Sequence, residues 1–342
     1  MALNFNSDYT TGAHPRVLER LLQTNEEQTA GYGCDPYSQL AERLILQACK
    51  LPTGKVHFFV GGTQTNATVI DGLLKKHEGV IATTEGHINV HESGAIEASG
   101  HKVLALPHKD GKLQAEQIQA YIDTFYHDDT HEHMVAPGMV YISHPTELGT
   151  LYSLSELEAI GEVCRRAHIP LYLDGARLGY GLMAHETDVT LPDLARICDA
   201  FYIGGTKCGL LFGEALVTRH PQLLPHFRSL IKQHGALLAK GRLLGVQFAT
   251  LFEDGLYFQM AEHAIALAMK LKRAMLAKGY TLYIDSPTNL QFFLLPNDEI
   301  DRLLQFASFE LWGARGVTHT PVRIVTDWST REEDLDAFIA RL

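Results

Sequence analysis

The sequence predicts an α/β fold built on a mostly parallel sheet, followed by a smaller α+β domain. Three observations predict it. Short β-branched or aromatic runs alternate with longer stretches of helical pattern over the first two thirds of the chain. Those short runs are apolar, as strands covered by helices on both faces must be. Past about residue 245 the alternation gives way to one long helix and a group of short strands.

The strands expected in the larger part are KVHFFV (55–60), GVIATT (79–84), KVLALP (102–107), MVYISH (139–144), IPLYLDG (169–175), AFYIGG (200–205) and EALVT (214–218). Only a glycine-rich turn at 206–213 separates the last two, which predicts one antiparallel pair there. Helical patterns cover 65–77 and 153–168; the second opens with Ser-Leu-Ser-Glu capping chemistry and closes on Arg165, Arg166 and His168. The smaller part holds a helix over 257–279, the runs TLYIDS, LQFFLL, FELWGAR and VRIVTD, and a final helix in STREEDLDAFIARL. The polar stretch FYHDDTHEHMVAPG (125–138) reads as a loop. These changes of pattern suggest an N-terminal segment over 1–30, a large domain over 31–245 and a small domain over 246–342.

The 342 residues are 46% hydrophobic and 20% charged, enough for a large core, and the formal net charge is −11. So acidic a chain is not expected to serve nucleic acid or an anionic membrane as its main partner, though a small basic pocket for an anion is compatible with it. No stretch reads as a secretory signal or a transmembrane helix. The five cysteines are scattered, odd in number and without a C-x-x-C pair, which suggests reduced thiols in a cytoplasmic enzyme.

In parallel sheets ligands gather outside the carboxyl ends of the strands. Those ends carry GGTQTN, EGH, SHPTE, DGAR and GGTK. Lys207, among glycines, is either a Schiff-base lysine or a side chain snorkelling out of a turn. Asp174 could hold a protonated ring nitrogen or cap the next helix. Arg177 suits a carboxylate, a phosphate or a surface ion pair. The run Gly61–Asn66 joins a strand to a helix start and could cradle a phosphate or simply cap the helix through Thr63 or Thr65. It matches neither G-x-G-x-x-G nor the P-loop pattern. His87 could stack on a flat ring, move a proton, or be an ordinary buried histidine.

Taken together, a phosphate cradle, a histidine, Asp-x-x-Arg and a glycine-flanked lysine at successive strand ends form the layout of fold-type-I pyridoxal-phosphate enzymes. Over nearly its whole length the chain resembles their β-eliminating lyase group, in the threonine aldolase branch. The matching pieces are NSDYTTGAHPRVLERL, GYGCDPYSQLAERL, FFVGGTQTN, EGHINVHESGA, YLDGARLGYG, the Lys207 segment and VRIVTD. The resemblance implies pyridoxal 5'-phosphate held covalently by Lys207, with Asp174 on the ring nitrogen, His87 stacked on the ring, and Gly62 and Thr63 on the phosphate. It implies Ser7, Arg177 and Arg323 on the substrate carboxylate. It also implies Tyr32 near the site, Lys240 reaching a phosphate from a neighbouring subunit, and His131 or His133 near the substrate hydroxyl. The activity it implies is cleavage of the Cα–Cβ bond of L-threonine or L-allo-threonine to glycine and an aldehyde, in a homodimer or homotetramer with shared sites. A β-eliminating lyase, an aldolase for bulkier substrates such as phenylserine, and an aminotransferase are the alternatives in the same cofactor class.

There are departures. The cradle reads Val-Gly-Gly-Thr-Gln-Thr-Asn, Thr206 precedes the lysine where serine is commoner, and Ser143–Glu147 replaces an acidic, Asn-rich strand end. These bear on side-chain specificity more than on the cofactor. From a different class, the crowd His127, Asp128, Asp129, His131, Glu132 and His133 raises metal binding, but it has no defined ligand spacing and no metal is assigned.

Overall fold

The computed structural model describes residues 3–342. Its large sheet has seven strands, in the spatial order Lys55–Phe59, Glu214–Thr218, Ala200–Gly204, Leu171–Asp174, Ala136–Ser143, Glu78–Thr83, Lys102–Leu106. All neighbours pair in parallel except Glu214–Thr218, which is antiparallel to both strands beside it. Reversing one strand has a consequence for the site. Its first residue, Glu214, lies beside Gly204 and Phe59, the last residues of its neighbours. An acid at a strand start therefore joins the carboxyl-end rim.

Side chains alternate between the two faces of a strand. One face sends Ile142, Leu171, Leu173, Phe201 and Ile203 into one core. The other sends Met139, Tyr141, Tyr172 and Tyr202 against Val69 and Ile70 of the helix Gly62–Leu73. Asp174 shares the parity of Tyr172, so it ends its strand on the tyrosine side.

The helix Leu154–Ala167 carries the expected capping box between Ser153 and Glu156. The stretch read as a loop over 125–138 is more ordered than that. A helix runs Ala115–His127, capped by Gln114 and Gln117, because Ile118, Ile122 and Phe125 bury at helical spacing. A short turn follows at His131–His133, and the strand begins at Ala136.

The smaller sheet has the order Glu310–Leu311, His319–Val325, Leu290–Pro296, Thr281–Ile284. Its core also takes Phe5, and the strand Leu3–Asn4 pairs with Ala307–Ser308, so the chain's first strand packs with its last third. Residue 245 falls inside the helix Arg242–Glu253, which packs in the large core. The change of core comes within the next helix, Leu256–Ala277: Tyr257, Met260 and Ala264 face the large core, Leu271 and Met275 the small one. No helix among the described residues is long and apolar enough to cross a membrane.

Candidate active site

Five strand ends and the start of the reversed strand enclose a cavity of about 240 Å³. Gly61, Gly62, Thr63, His87, Asp174, Arg177 and Lys207 all line it, so the sequence-predicted rim residues converge.

Asp174 forms the floor. Its Oδ2 accepts from the Tyr141 hydroxyl (2.7 Å) and Asn66 Nδ2 (2.9 Å). Its Oδ1 accepts from the Tyr202 hydroxyl (2.5 Å) and the Ala176 N–H (3.0 Å). Burial pushes the carboxyl up, but the charge of His87 and the donors on Tyr202, Tyr141 and Asn66 outweigh it and hold it below its ordinary value. All four hydrogen-bond donors are neutral, so a buried negative charge is stabilised without being neutralised. That environment suits a cationic ring nitrogen.

Asn66 is the hinge of a wider network. Its Oδ1 accepts from the Tyr172 hydroxyl (2.8 Å), and its Nδ2 also donates to Glu92 Oε1 (2.8 Å). The same Glu92 oxygen meets His87 Nδ1 at 2.8 Å. Burial lowers the imidazole's basicity, yet the Glu92 hydrogen bond and the charges of Asp174 and Glu92 lift it above its ordinary value. Glu92 fixes Nδ1 as the donor side of the ring.

The helix Gly62–Leu73 has no side-chain cap at Gly61, so its first N–H groups open on the cavity. A Cβ at Gly62 would lie 3.0 Å from the Tyr202 hydroxyl. Uncapped donors at a positive helix end fit a phosphate.

Lys207 sits on the turn between the antiparallel strands, its carbonyl held by the Tyr180 hydroxyl (2.6 Å). Burial and the Arg177 charge push its ammonium below the usual lysine range, against Asp8, Asp174 and Glu214. Glu214 accepts from the Thr206 hydroxyl (2.7 Å) and the Gly205 N–H (3.1 Å). Burial pushes its carboxyl up to about 8, although Thr206, the Lys207 charge and the Gly205 N–H all oppose that rise. An easily deprotonated amine, a buried anion without a salt bridge and open helix-end donors together fit pyridoxal phosphate.

Arg177 is clamped by Asp8, Nε to Oδ2 at 2.6 Å and Nη2 to Oδ1 at 3.0 Å, and Asn289 also donates to Asp8 (3.0 Å). Ser7 and Arg323 do not line the cavity itself. Both are nonetheless left with an unpaired buried donor, Ser7 Oγ and Arg323 Nε, while Arg323 Nη2 pairs with Glu310. Burial and the neighbouring Arg177 charge hold the Arg323 guanidinium below its ordinary value. Two crowded cations with open donors suit an anion such as a carboxylate.

The remaining predicted residues lie elsewhere in this chain. His131 and His133 precede the strand Ala136–Ser143, at the end opposite the cavity and roughly 25 Å away at ~3.3 Å per residue. His131 Nδ1 bonds its own loop at the Asp128 carbonyl, and its ring packs on Phe125. The reason is topological: a segment entering a parallel strand cannot share the rim that the strand's end forms. Tyr32 is exposed and carries Lys232 Nζ 4.8 Å over its ring. Lys240 lines a separate cleft with Thr24 and Gly31. The sequence reading missed Asp8, Glu92, Tyr141, Tyr202 and Glu214, and took Asn66 and Glu147 only as parts of the cradle run and of an altered strand end. Strand parity in Tyr-Leu-Asp and the predicted antiparallel turn were the available signals for Tyr172's neighbours and Glu214.

The chain belongs to the beta-eliminating lyase family, which it matches over residues 4–295. Its fold is that of the fold-type-I pyridoxal-phosphate enzymes. It is similar to the solved threonine aldolase of Leishmania major, at 42% identity and a TM-score of 0.95, over 98% of this chain and 97% of that one. It is also 30% identical to the low specificity L-threonine aldolase of Pseudomonas sp. (strain NCIMB 10558) over 267 residues, 76% of this chain and 74% of that one. The Thermus thermophilus aspartate aminotransferase, 15% identical with a TM-score of 0.71 over 99% of this chain and 90% of that one, shares the fold alone.

Proposed function

We propose that this protein is a cytoplasmic pyridoxal-phosphate lyase that cleaves L-threonine or L-allo-threonine between Cα and Cβ, giving glycine and acetaldehyde. The observation that carries the reading is the convergence of Lys207, Asp174, His87 and the open helix start at Gly62 on one cavity, in a chain of this family.

Lys207 would hold the cofactor's aldehyde carbon, Asp174 its ring nitrogen, and the N–H groups at Gly62 and Thr63 its phosphate. When bound, the cofactor supplies a sink for the electron pair released from the Cα–Cβ bond. The chain's own residues do the rest. Asp174 stays anionic because Tyr141, Tyr202 and Asn66 solvate it. Glu92 keeps the His87 ring in one orientation. Arg177, fixed by Asp8, and Arg323 with Ser7 would hold the substrate carboxylate, which sets the angle at which the scissile bond leaves. Tyr32 and Lys240, outside this chain's cavity, fit a role in a partner's site within a homodimer or homotetramer.

Two measurements test this. The purified protein should show a visible absorbance that borohydride bleaches. Incubation with L-threonine, L-allo-threonine and L-phenylserine should yield glycine and aldehyde. Keto acid without aldehyde, or ammonia without glycine, would overturn the aldolase assignment in favour of an aminotransferase or a β-eliminating lyase.

A further inference from the structure

Cleavage of a β-hydroxy amino acid leaves one proton to place. As Cα–Cβ breaks, the hydroxyl O–H bond must also break so that its oxygen can form the aldehyde C=O. The loop histidines at 131 and 133 stand at the far end of the sheet. His87 has Nδ1 committed to Glu92. Glu214 and Lys207 belong to the turn beside Thr206. One further carboxylate lines the cavity, Glu147, on the His87 side.

Glu147 is built into place. Its Oε1 accepts from the Ser143 hydroxyl (2.7 Å) and from the His87 N–H (2.9 Å). Both of these hydrogen bonds from other residues fall on Oε1. Oε2 takes no hydrogen bond from another residue, and Glu147 lines the cavity. The anchoring strand end Ser143 and the turn at His87 come from two different strand–helix units, so the carboxylate is braced from both sides. Burial, with the negative charge of Asp174, lifts the carboxyl above its ordinary range, against Ser143, its own backbone N–H and the His87 N–H. That makes it a stronger base than a surface carboxylate.

We propose that Glu147 is the base for the substrate's β-hydroxyl. Its free oxygen takes the hydroxyl proton. The O–H electron pair becomes the second bond of the aldehyde carbonyl, and the Cα–Cβ pair would be taken up by the electron sink that the cofactor supplies when bound. A proton then returns to Cα and completes glycine. This rests on the aldolase reading above.

The experiment compares two reactions of the same holoenzyme. Threonine cleavage needs a hydroxyl base, whereas exchange of the glycine α-proton with deuterated solvent does not. Glu147→Gln should lower kcat for threonine by on the order of 10²-fold, with KM little changed. Glycine exchange, followed by NMR, and the visible spectrum of the bound cofactor should stay close to wild type. Cleavage within a few-fold of wild type overturns the assignment. So does an equal loss of cleavage and exchange, which would make Glu147 a support for His87. Should Glu147→Gln fail to fold, Ser143→Ala serves. It removes a donor that lowers the Glu147 carboxyl, so the acid limb of the kcat/KM profile should move to higher pH; an unmoved limb overturns the proposal. The groups acting on Glu147 in that profile are Ser143 on its own segment, His87 opposite and Asp174 on the floor. A wild-type protein that releases no aldehyde from any β-hydroxy amino acid overturns the aldolase reading together with this one, which distinguishes that failure from the others.

Discussion

Asp174 closes one strand and Glu214 opens another, and both carboxylates are buried at the same rim. Burial raises the proton affinity of each. What separates them is the count and kind of donors. Asp174 receives four hydrogen bonds and feels the His87 charge, and its carboxyl ends below the ordinary value of 3.8. Glu214 receives two, and its carboxyl ends at about 8. Their linkage to folding therefore has opposite sign. Asp174 contributes stability that is present above its ordinary carboxyl value and lost as pH falls through its lowered one. Glu214 contributes stability present below its ordinary 4.5 and lost as pH rises toward about 8. One carboxylate is held charged; the other keeps its proton well above the ordinary carboxyl range, with the Lys207 charge opposing that rise.

The largest effects should come from the permanent charge and the amine. Asp174→Ala should slow cleavage on the order of 10³-fold, equivalent to ~4 kcal/mol of transition-state stabilisation. Steady-state aldehyde release measures it, and wild-type rates would reduce Asp174 to a helix cap. Lys207→Ala should abolish the borohydride-sensitive absorbance and nearly all turnover while the circular dichroism stays native.

Glu214→Gln should cost less, about tenfold in kcat/KM. Its pH dependence tests the contrast more sharply than the rate does. A negative charge on Glu214 favours a proton on the Lys207 nitrogen, so its removal should shift the pH midpoint of the cofactor absorbance downward. An upward shift or none would break the contrast with Asp174. A second readout uses the Lys207→Ala background, which removes the amine charge that opposes the Glu214 proton. Its stability should fall as pH rises above about 4.5, through the about 8 of the wild-type site and beyond, because the opposing Lys207 charge is gone, by up to ~1.4 kcal/mol per pH unit. The double variant with Glu214→Gln should lose that slope in thermal denaturation scans.

Tyr202→Phe addresses the donors that make Asp174 differ. Loss of one hydrogen bond to a charged group should cost roughly 1.5–3 kcal/mol of stability. The acid limb of the stability profile should move to higher pH, because the carboxyl has lost a donor that lowers it. Unchanged acid unfolding would mean that Tyr141 and Asn66 suffice.

The sheet and the rim were legible because one rule orders them. Lys207, Asp174, His87, Gly62 and Arg177 each follow an apolar run, and in a parallel sheet those ends meet. Asp174's donors were less legible, since they require knowing which strands are neighbours: Tyr141 lies on the strand that pairs with one side of Asp174's strand and Tyr202 on the strand that pairs with the other. Glu214 follows from the antiparallel turn once the direction of its strand is drawn. The N-terminal segment's pairing with residues 307–308 is a contact across three hundred residues, which local pattern does not carry.

The smallest effect is expected where the same rule was not applied. His131 and His133 lead into the strand Ala136–Ser143, whereas Ser143 leads out of it into the cavity wall. A segment at the entry of a parallel strand faces the opposite edge of the sheet whatever its composition. His131 is exhausted locally by the Asp128 carbonyl and the Phe125 ring. The double variant His131→Ala/His133→Ala should therefore keep kcat and KM for threonine within about twofold, and change stability by about 1 kcal/mol at most, since His133 is exposed and His131 half-buried against Phe125. If it instead cost threonine cleavage tenfold or more while sparing glycine α-proton exchange, the hydroxyl base would lie in that loop, supplied to a site other than its own chain's, and the Glu147 assignment would fall with it.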